Sequence, residues 1–346
     1  MKNQFEDKNI LITGGSGSIG RIITHEILKF SPSVIRIFDL DEMGLFQVRR
    51  EFKDYSNIRY LLGDVRDKQR LNKAVEGIDL VYHTASLKHV FSCEYNPFEA
   101  VKTNVLGVQN LCEVAIDEQV EKVIFTSSDK AVNPSNVMGV TKLLAEKLII
   151  AANYYKGRRK TAFSCVRFGN VVGSRGSVVS IFMEQISKGG PVTITDPKMT
   201  RYIITMQEAI DLLFNATEIA LGGEIFVSKM KALKIIDLAK AMIQEYSPKF
   251  GYSPDEININ INGKAPGEKL YEELLTSSEV EHALEMERMF IILPEIREFI
   301  KIDETRYTNA KPLKEGDYRS LQGPHLTKQE IRSILNKLEL NQFTHK

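Results

Sequence analysis

The stretch NILITGGSGSIG, residues 9–20, decides the fold. Asn9–Thr13 is a short aliphatic run that ends in a glycine-rich turn, and an amphipathic segment follows, so the letters read as a strand feeding a helix. Within the turn, Thr13, Gly14, Gly15, Ser16, Gly17, Ser18, Ile19 and Gly20 succeed one another. Glycine is needed at such a place so that backbone N–H groups can approach a pyrophosphate at the positive end of the helix, and so that helix and sheet pack closely. A bare strand-to-helix turn would give similar letters. The flanking strand and helix favour dinucleotide binding.

Outward from this turn, short apolar strands alternate with helical stretches, the pattern of a parallel sheet covered on both faces. The expected strands are Asn9–Thr13, Val34–Asp39, Ile58–Leu62, Leu80–His83, 123–127 and 162–167. A helix is expected over 97–116, because Pro97 suits a first turn and Ala100, Val101, Val105, Val108, Leu111 and Cys112 fall near one face. After about residue 170, Gly169, Gly173, Gly176, Gly189, Gly190 and Pro191 punctuate the chain and the regularity weakens. The expected architecture is α/β: a Rossmann-type doubly wound parallel sheet over residues 1–175, receiving further segments from about 200–230, and a smaller mixed α/β substrate-binding domain, mainly 176–346.

Composition removes several function classes. The 346 residues include 46 Lys and Arg against 45 Asp and Glu, a net charge of +1, which argues against nucleic acid as a partner. The N-terminus has no apolar core of signal-peptide length, and no segment approaches the roughly 18 uninterrupted apolar residues of a membrane helix. The expectation is a soluble, cytoplasmic protein without a membrane partner. Cys93, Cys112 and Cys165 lack CxxC spacing and read as buried thiols, and no metal site is expected.

Further residues extend the nucleotide reading. Asp39 ends the second strand, 19 residues after Gly20. A carboxylate there accepts hydrogen bonds from ribose hydroxyls and repels a 2′-phosphate, so NAD is expected in preference to NADP; the competing reading is a solvated turn residue beside Asp41 and Glu42. Asp64-Val65 after the third strand suits the adenine ring or an ordinary turn, and Thr84-Ala85-Ser86 after the fourth provides small residues beside a cofactor.

With these stand GDVRD (63–67), HTASLKHV (83–90), SSDKAVNP (127–134), GNVVGSRGSV (169–178), ITDPKMTRYIIT (194–205) and PGEKLYEELL (266–275). The ordered set resembles the extended short-chain dehydrogenase/reductase superfamily and, within it, the UDP-N-acetylglucosamine 4,6-dehydratases of flagellin-glycan and capsule synthesis, particularly the C5-inverting type. The resemblance runs over roughly residues 8–290. It implies an internally redox-neutral reaction on a UDP-N-acetylhexosamine: oxidation at C4, loss of the acidified C5 proton, departure of the C6 hydroxyl as water, and return of the hydride to C6.

The same resemblance assigns roles. Lys142 hydrogen-bonds the nicotinamide ribose, Lys130 is the base at C5, and Asp129 is the acid at the C6 oxygen. Against these stand a solvated Lys142–Glu146 pair and a plain loop ion pair between Asp129 and Lys130. A basic Lys130 must be neutral, which requires burial or a nearby cation. Met138 occupies the place of the superfamily's tyrosine, and a thioether cannot take the C4 hydroxyl proton, which leaves the first base unassigned; the expectation adopted is that Asp129 receives that proton, directly or through water, with Ser128 orienting the hydroxyl. Asn104 is counted with the cofactor-binding residues. Lys88, Asn170, Ser177, Arg201 and Glu268 are expected to face the sugar nucleotide, while Ala265 replaces the arginine of the PGEK element. A homo-oligomer is expected through the helices starting at Pro97 and Val137. Two rival readings are a UDP-sugar C4 epimerase or dehydrogenase, which would ordinarily keep tyrosine at 138, and a non-catalytic NAD-sensing module.

Overall fold

The computed structural model describes residues 4–338 apart from 297, 299–301, 315 and 317. Six parallel strands form the centre of its main sheet: β1 (Asn9–Thr13), β2 (Val34–Asp39), β3 (Ile58–Leu62), β4 (Leu80–His83), β5 (Lys122–Ser128) and β6 (Ala162–Phe168). They lie in the order β3-β2-β1-β4-β5-β6. This is the doubly wound Rossmann arrangement, in which ligands bind beyond the carboxyl ends of the strands where the order reverses. The α/β expectation is borne out. Four of the six strands have the expected bounds, and β5 and β6 run slightly longer.

Strand β1 is apolar through its centre because helices cover both faces of a parallel sheet. Ile10, Leu11 and Ile12 are fully buried. The expected helix over 97–116 is divided: Pro97–Val101 and Gly107–Asp117 are α-helical, and Lys102–Leu106 between them is a wider π turn. Such a turn re-aims one side chain. Here Asn104 is buried and brackets Leu87, accepting from its N–H at 2.8 Å and donating to its carbonyl at 3.0 Å, while also donating to Thr141 Oγ1.

Beyond β6 the sheet continues with Ile225–Ser228, parallel, and then Met289–Ile292, Ala283–Glu285 and Lys311–Pro312, each antiparallel to its neighbour. The outermost three come from residues that the sequence places mainly in the smaller domain. Their alternation is short and interrupted, so they carry little signal alone. The Met206–Ile219 helix also packs on this side, with Phe214 against Phe5. A second apolar core, including Val179, Phe182, Met183, Leu238, Met242 and Ile331, holds the smaller lobe together. That lobe contains two small sheets, one of Lys231–Lys234, Thr200–Ile204 and Asn170–Val171, the other of Val192–Ile194 and Ile259–Ile261.

Arg167 of β6 is enclosed where the elements meet. Its guanidinium donates to both carboxylate oxygens of Glu146 on the Val137–Tyr155 helix, to Glu279, and to the Leu274 carbonyl. Removing one member of a buried ion cluster strands the rest without water. Arg167→Ala should therefore lower stability by about 3–5 kcal/mol, measured by urea unfolding at neutral pH.

Candidate active site

The residues singled out in the sequence gather beyond the carboxyl ends of β1, β2, β4, β5 and β6. At β1, Gly14 has φ +66°, and a Cβ there would lie 2.6 Å from the Ala85 nitrogen. At Gly20 a Cβ would lie 2.5 Å from the Gly15 Cα, so the helix Ser18–Leu28 approaches the loop as closely as glycine permits. Gly17 precedes that helix and no side chain caps it, which leaves the positive helix end open to an anion. These features fit a dinucleotide pyrophosphate.

Asp39 lies beside this loop. Its Oδ2 accepts from Ser16 N–H at 2.9 Å and Ser16 Oγ at 2.7 Å, and its Oδ1 accepts from Asp41 N–H. The carboxylate therefore also fixes the shape of the glycine turn. Thr84 Oγ1 donates to the Thr13 carbonyl at 2.7 Å, joining β4 to β1 beside Ala85 and Ser86. Asp64 has its carboxylate engaged by Arg66, and Val65 is buried against Gly107. One contributor was missed from sequence: Arg175 of the GNVVGSRGSV segment donates through its guanidinium to the Ser16 carbonyl, and its N–H reaches Ser18 Oγ. A loop of the smaller lobe thus touches the glycine turn.

At the end of β5, Ser128 and Asp129 are followed at once by Lys130 in a single 3₁₀ turn. Asp129 is fully buried; its Oδ1 accepts from Ser128 Oγ at 2.9 Å and from Lys130 Nζ at 3.0 Å, while Oδ2 has no partner. Lys130 Nζ also donates to Asn170 Oδ1 at 3.3 Å and lies 3.6 Å from Glu272 Oε1. This is a buried cluster and not a solvated loop pair. Burial works against the Lys130 charge, but Asp129 and Glu272 outweigh it and hold the amine above its ordinary value. The resting charge of Lys130 is therefore opposite to the neutral form that a base needs: burial is present, yet two carboxylates reverse its effect.

Glu272 was not singled out, although it lies within the quoted PGEKLYEELL segment. It is buried; burial first, and Asp129 in addition, raise its pKa despite the attraction of Lys130. The only available signal was a glutamate in a stretch that already resembled a nucleotide-sugar element.

Lys142 and Met138 are both buried on the Val137–Tyr155 helix. Lys142 Nζ donates to the Thr126 carbonyl at 2.9 Å and sits 4.6 Å from the centre of the Phe125 ring. Glu146 is committed to Arg167, so the alternative of a solvated Lys142–Glu146 pair is excluded. Met138 packs in an apolar group with Cys93 and Ala100, and all three cysteines are free and buried. Nearby His83 is paired with Thr13 Oγ1 at 2.6 Å; burial and then Lys142 push its imidazole down to about 3, so it is neutral.

The remaining expected substrate residues are placed as follows. Lys88 Nζ donates to the Arg175 carbonyl at 2.7 Å. Ser177 precedes the Val178–Ser187 helix. Arg201 is buried, with its guanidinium on the carbonyls of Thr200, Leu270 and Lys269 and 3.7 Å from Glu272. Glu268 accepts from the Ala265 N–H at 3.0 Å, closing the PGEK turn. Among the described residues no group of three or more His, Cys, Asp or Glu could hold a metal ion, and no helix is long and apolar enough to cross a membrane.

Burial brings the Lys142 amine down to about 8 from an ordinary 10.5. The unfolded chain then binds more protons than the folded one between these values, so this group's contribution makes stability rise with pH across that interval. Lys142→Met should remove that rise and be the more stable relative to wild type below about pH 8; thermal unfolding over a series of pH values checks it.

Comparison with known proteins adds to this geometry. Residues 10–294 match the family described as "Polysaccharide biosynthesis protein". A Methanocaldococcus jannaschii protein described as an uncharacterized membrane protein is 52% identical, over 98% of both chains. The UDP-N-acetylglucosamine 4,6-dehydratase (inverting) of Campylobacter jejuni is 40% identical over 97% of this chain and 99% of its own, and a UDP-glucose 4-epimerase of Rickettsia typhi is 37% identical over 97% of each. The X-ray structure of Pen from Bacillus thuringiensis matches with TM-score 0.90 and 45% identity, covering 97% of this chain and 99% of that one. The resemblance to inverting UDP-N-acetylglucosamine 4,6-dehydratases read from the motifs is borne out, and the chain belongs to the polysaccharide biosynthesis protein family.

Proposed function

We propose that the protein is a UDP-N-acetylglucosamine 4,6-dehydratase of the C5-inverting type, acting with tightly held NAD in the synthesis of a surface polysaccharide or glycoprotein glycan. The observation that carries this reading is the Ser128–Asp129–Lys130 turn, with Asp129 fully buried, beside Lys142, together with a thioether at 138 where a tyrosine would serve a simple dehydrogenase. When bound, NAD would supply the acceptor and later the donor of a hydride. Lys142 would hold the nicotinamide ribose, the glycine turn the pyrophosphate, and Asp39 the adenosine ribose hydroxyls, which supports NAD over NADP.

The protein's own groups manage the protons. Ser128 orients the C4 hydroxyl and Asp129 receives its proton; the free Oδ2 is the oxygen suited to that task. Once C4 is a ketone, the C5 hydrogen is acidic and Lys130 removes it. Asp129 then donates its proton to the departing C6 oxygen, so water leaves and the carboxylate is restored. A positioned acid or base of this kind typically contributes about 10²–10⁴-fold in rate.

The 37% identity to a UDP-glucose 4-epimerase supports a second reading, C4 epimerisation on the same scaffold. The product separates the two. Purified protein incubated with UDP-N-acetylglucosamine in deuterated water should give a 4-keto-6-deoxy sugar, inverted at C5 and carrying deuterium there, by NMR. Recovery of a C4 epimer with C6 still hydroxylated would reject dehydration.

A homo-oligomer is part of the same proposal. Phe91, Tyr95, Phe98, Val101, Val140 and Leu144 are exposed on the helices that begin at Val90, Pro97 and Val137. Large apolar side chains gathered on a surface mark interaction sites, and we assign this one to a second copy of the chain. Leu144→Glu should reduce the mass in sedimentation equilibrium to that of the monomer, whereas an unchanged mass would place the interface elsewhere.

A further inference from the structure

We propose that Glu272 is the proton acceptor that converts the Lys130 ammonium into the free amine needed at C5, a positioning role that rests on the dehydratase reading above. Three acceptors surround Lys130 Nζ: Asp129 Oδ1 at 3.0 Å, Asn170 Oδ1 at 3.3 Å and Glu272 Oε1 at 3.6 Å. An ammonium hydrogen-bonded to Asp129 and Asn170 and ion-paired with Glu272 has no lone pair to offer. One hydrogen must leave before the nitrogen can take another from carbon.

The choice of acceptor follows by chemistry. Asn170 is an amide and does not take up a proton near neutral pH. Asp129 already carries the C4 hydroxyl proton at this stage and must keep it for the C6 oxygen. Glu272 is the remaining neighbour. It is 2% exposed, and its Oε2 has no partner. Its backbone is fixed through Ser320, whose Oγ accepts the Glu272 N–H at 2.9 Å and whose own N–H donates to the Glu272 carbonyl.

The charged groups facing the pair agree with this direction. Asp129 lies on the Lys130 turn, Arg201 approaches from the Thr200–Ile204 strand, and Lys269 comes from the segment of Glu272 itself. Burial raises the pKa of Glu272, and the two carboxylates raise that of Lys130 against burial. When Asp129 gains the C4 proton, one of the two negative charges stabilising the ammonium disappears, and transfer from Lys130 to Glu272 becomes easier.

The steps balance. A Lys130 N–H bond breaks and an O–H bond forms on Glu272. The C5–H bond then breaks and a new N–H bond forms on Lys130, its former bonding pair delocalising toward the C4 oxygen. After water has left and hydride has arrived at C6, a proton from solvent adds to C5 on the face opposite Lys130, which inverts that carbon, and the pair releases its extra proton to solvent, so that Lys130 and Glu272 again share the proton they began with.

The test is the rate of solvent-deuterium incorporation at C5, divided by the fraction of reduced cofactor read at 340 nm, in purified holoenzyme with UDP-N-acetylglucosamine. In wild type the resting and active forms hold equal numbers of protons, so this ratio should be flat between roughly pH 6 and pH 9. In Glu272→Gln the proton must go to solvent, so the ratio should fall at least about tenfold at neutral pH and climb by about tenfold per pH unit. Glu272→Asp should restore the flat profile. A wild-type ratio that itself climbs with pH, or a Gln variant as flat as wild type, overturns the proposal; the first of these requires no variant to fold. Failure of the dehydratase reading would look different, as wild type with neither reduced cofactor nor 4-keto product.

Discussion

The Arg167 guanidinium, closed off from water, fixes how three parts of the molecule meet. A charge in that position is tolerated only with partners that satisfy it. They come from separate elements: Glu146 from the helix that carries Lys142, and Glu279 with the Leu274 carbonyl from the segment that follows Glu272. Because Arg167 stands on β6, next to the strand ending in Ser128, one buried cation ties the helix of Lys142 and the segment that follows Glu272 to the sheet beside the Ser128–Lys130 turn.

Two lysines in one buried region have opposite electrostatic fates. Lys142 faces a carbonyl and an aromatic ring, its nearest carboxylate is held by Arg167, and burial dominates. Lys130 suffers the same burial but lies against two carboxylates, and attraction dominates. Depth alone therefore does not decide which way a lysine's pKa moves; uncommitted anions within reach can reverse it. Gly169 contributes by omission, since a Cβ there would lie 3.1 Å from Asp129 Oδ2 and crowd the oxygen that lacks a partner.

Local signals made the first half of the chain legible. The strands through β6 are short and mostly apolar, and the glycine turn, Asp39 and the Ser128–Lys130 turn each stand at the end of a strand, where chain order and spatial order coincide. What escaped the sequence depends on distant partners. Glu272 meets Lys130, and Arg175 meets Ser16, across long stretches of intervening chain, and neither contact has a periodicity to betray it. The π turn around Asn104 was invisible because the apolar face of 97–116 continues through it. The carbonyl groups of Leu270 and Lys269 that receive the Arg201 guanidinium also come from a segment its own motif does not foretell.

The path of the backbone between the lobes has its own consequence. After β6 the chain enters the smaller lobe, comes back through Met206–Ile219 and Ile225–Ser228, leaves again for Lys231–Lys234 and Ile235–Tyr246, rejoins the large sheet at Ala283–Glu285 and Met289–Ile292, and ends its described course with Lys328–Asn336 in the second core. Neither lobe is a contiguous length of polypeptide. No single cut can release one intact, and a fragment ending at the first crossing lacks strands its sheet requires. The two lobes are stitched into one cooperative unit, whose halves must be made and lost together.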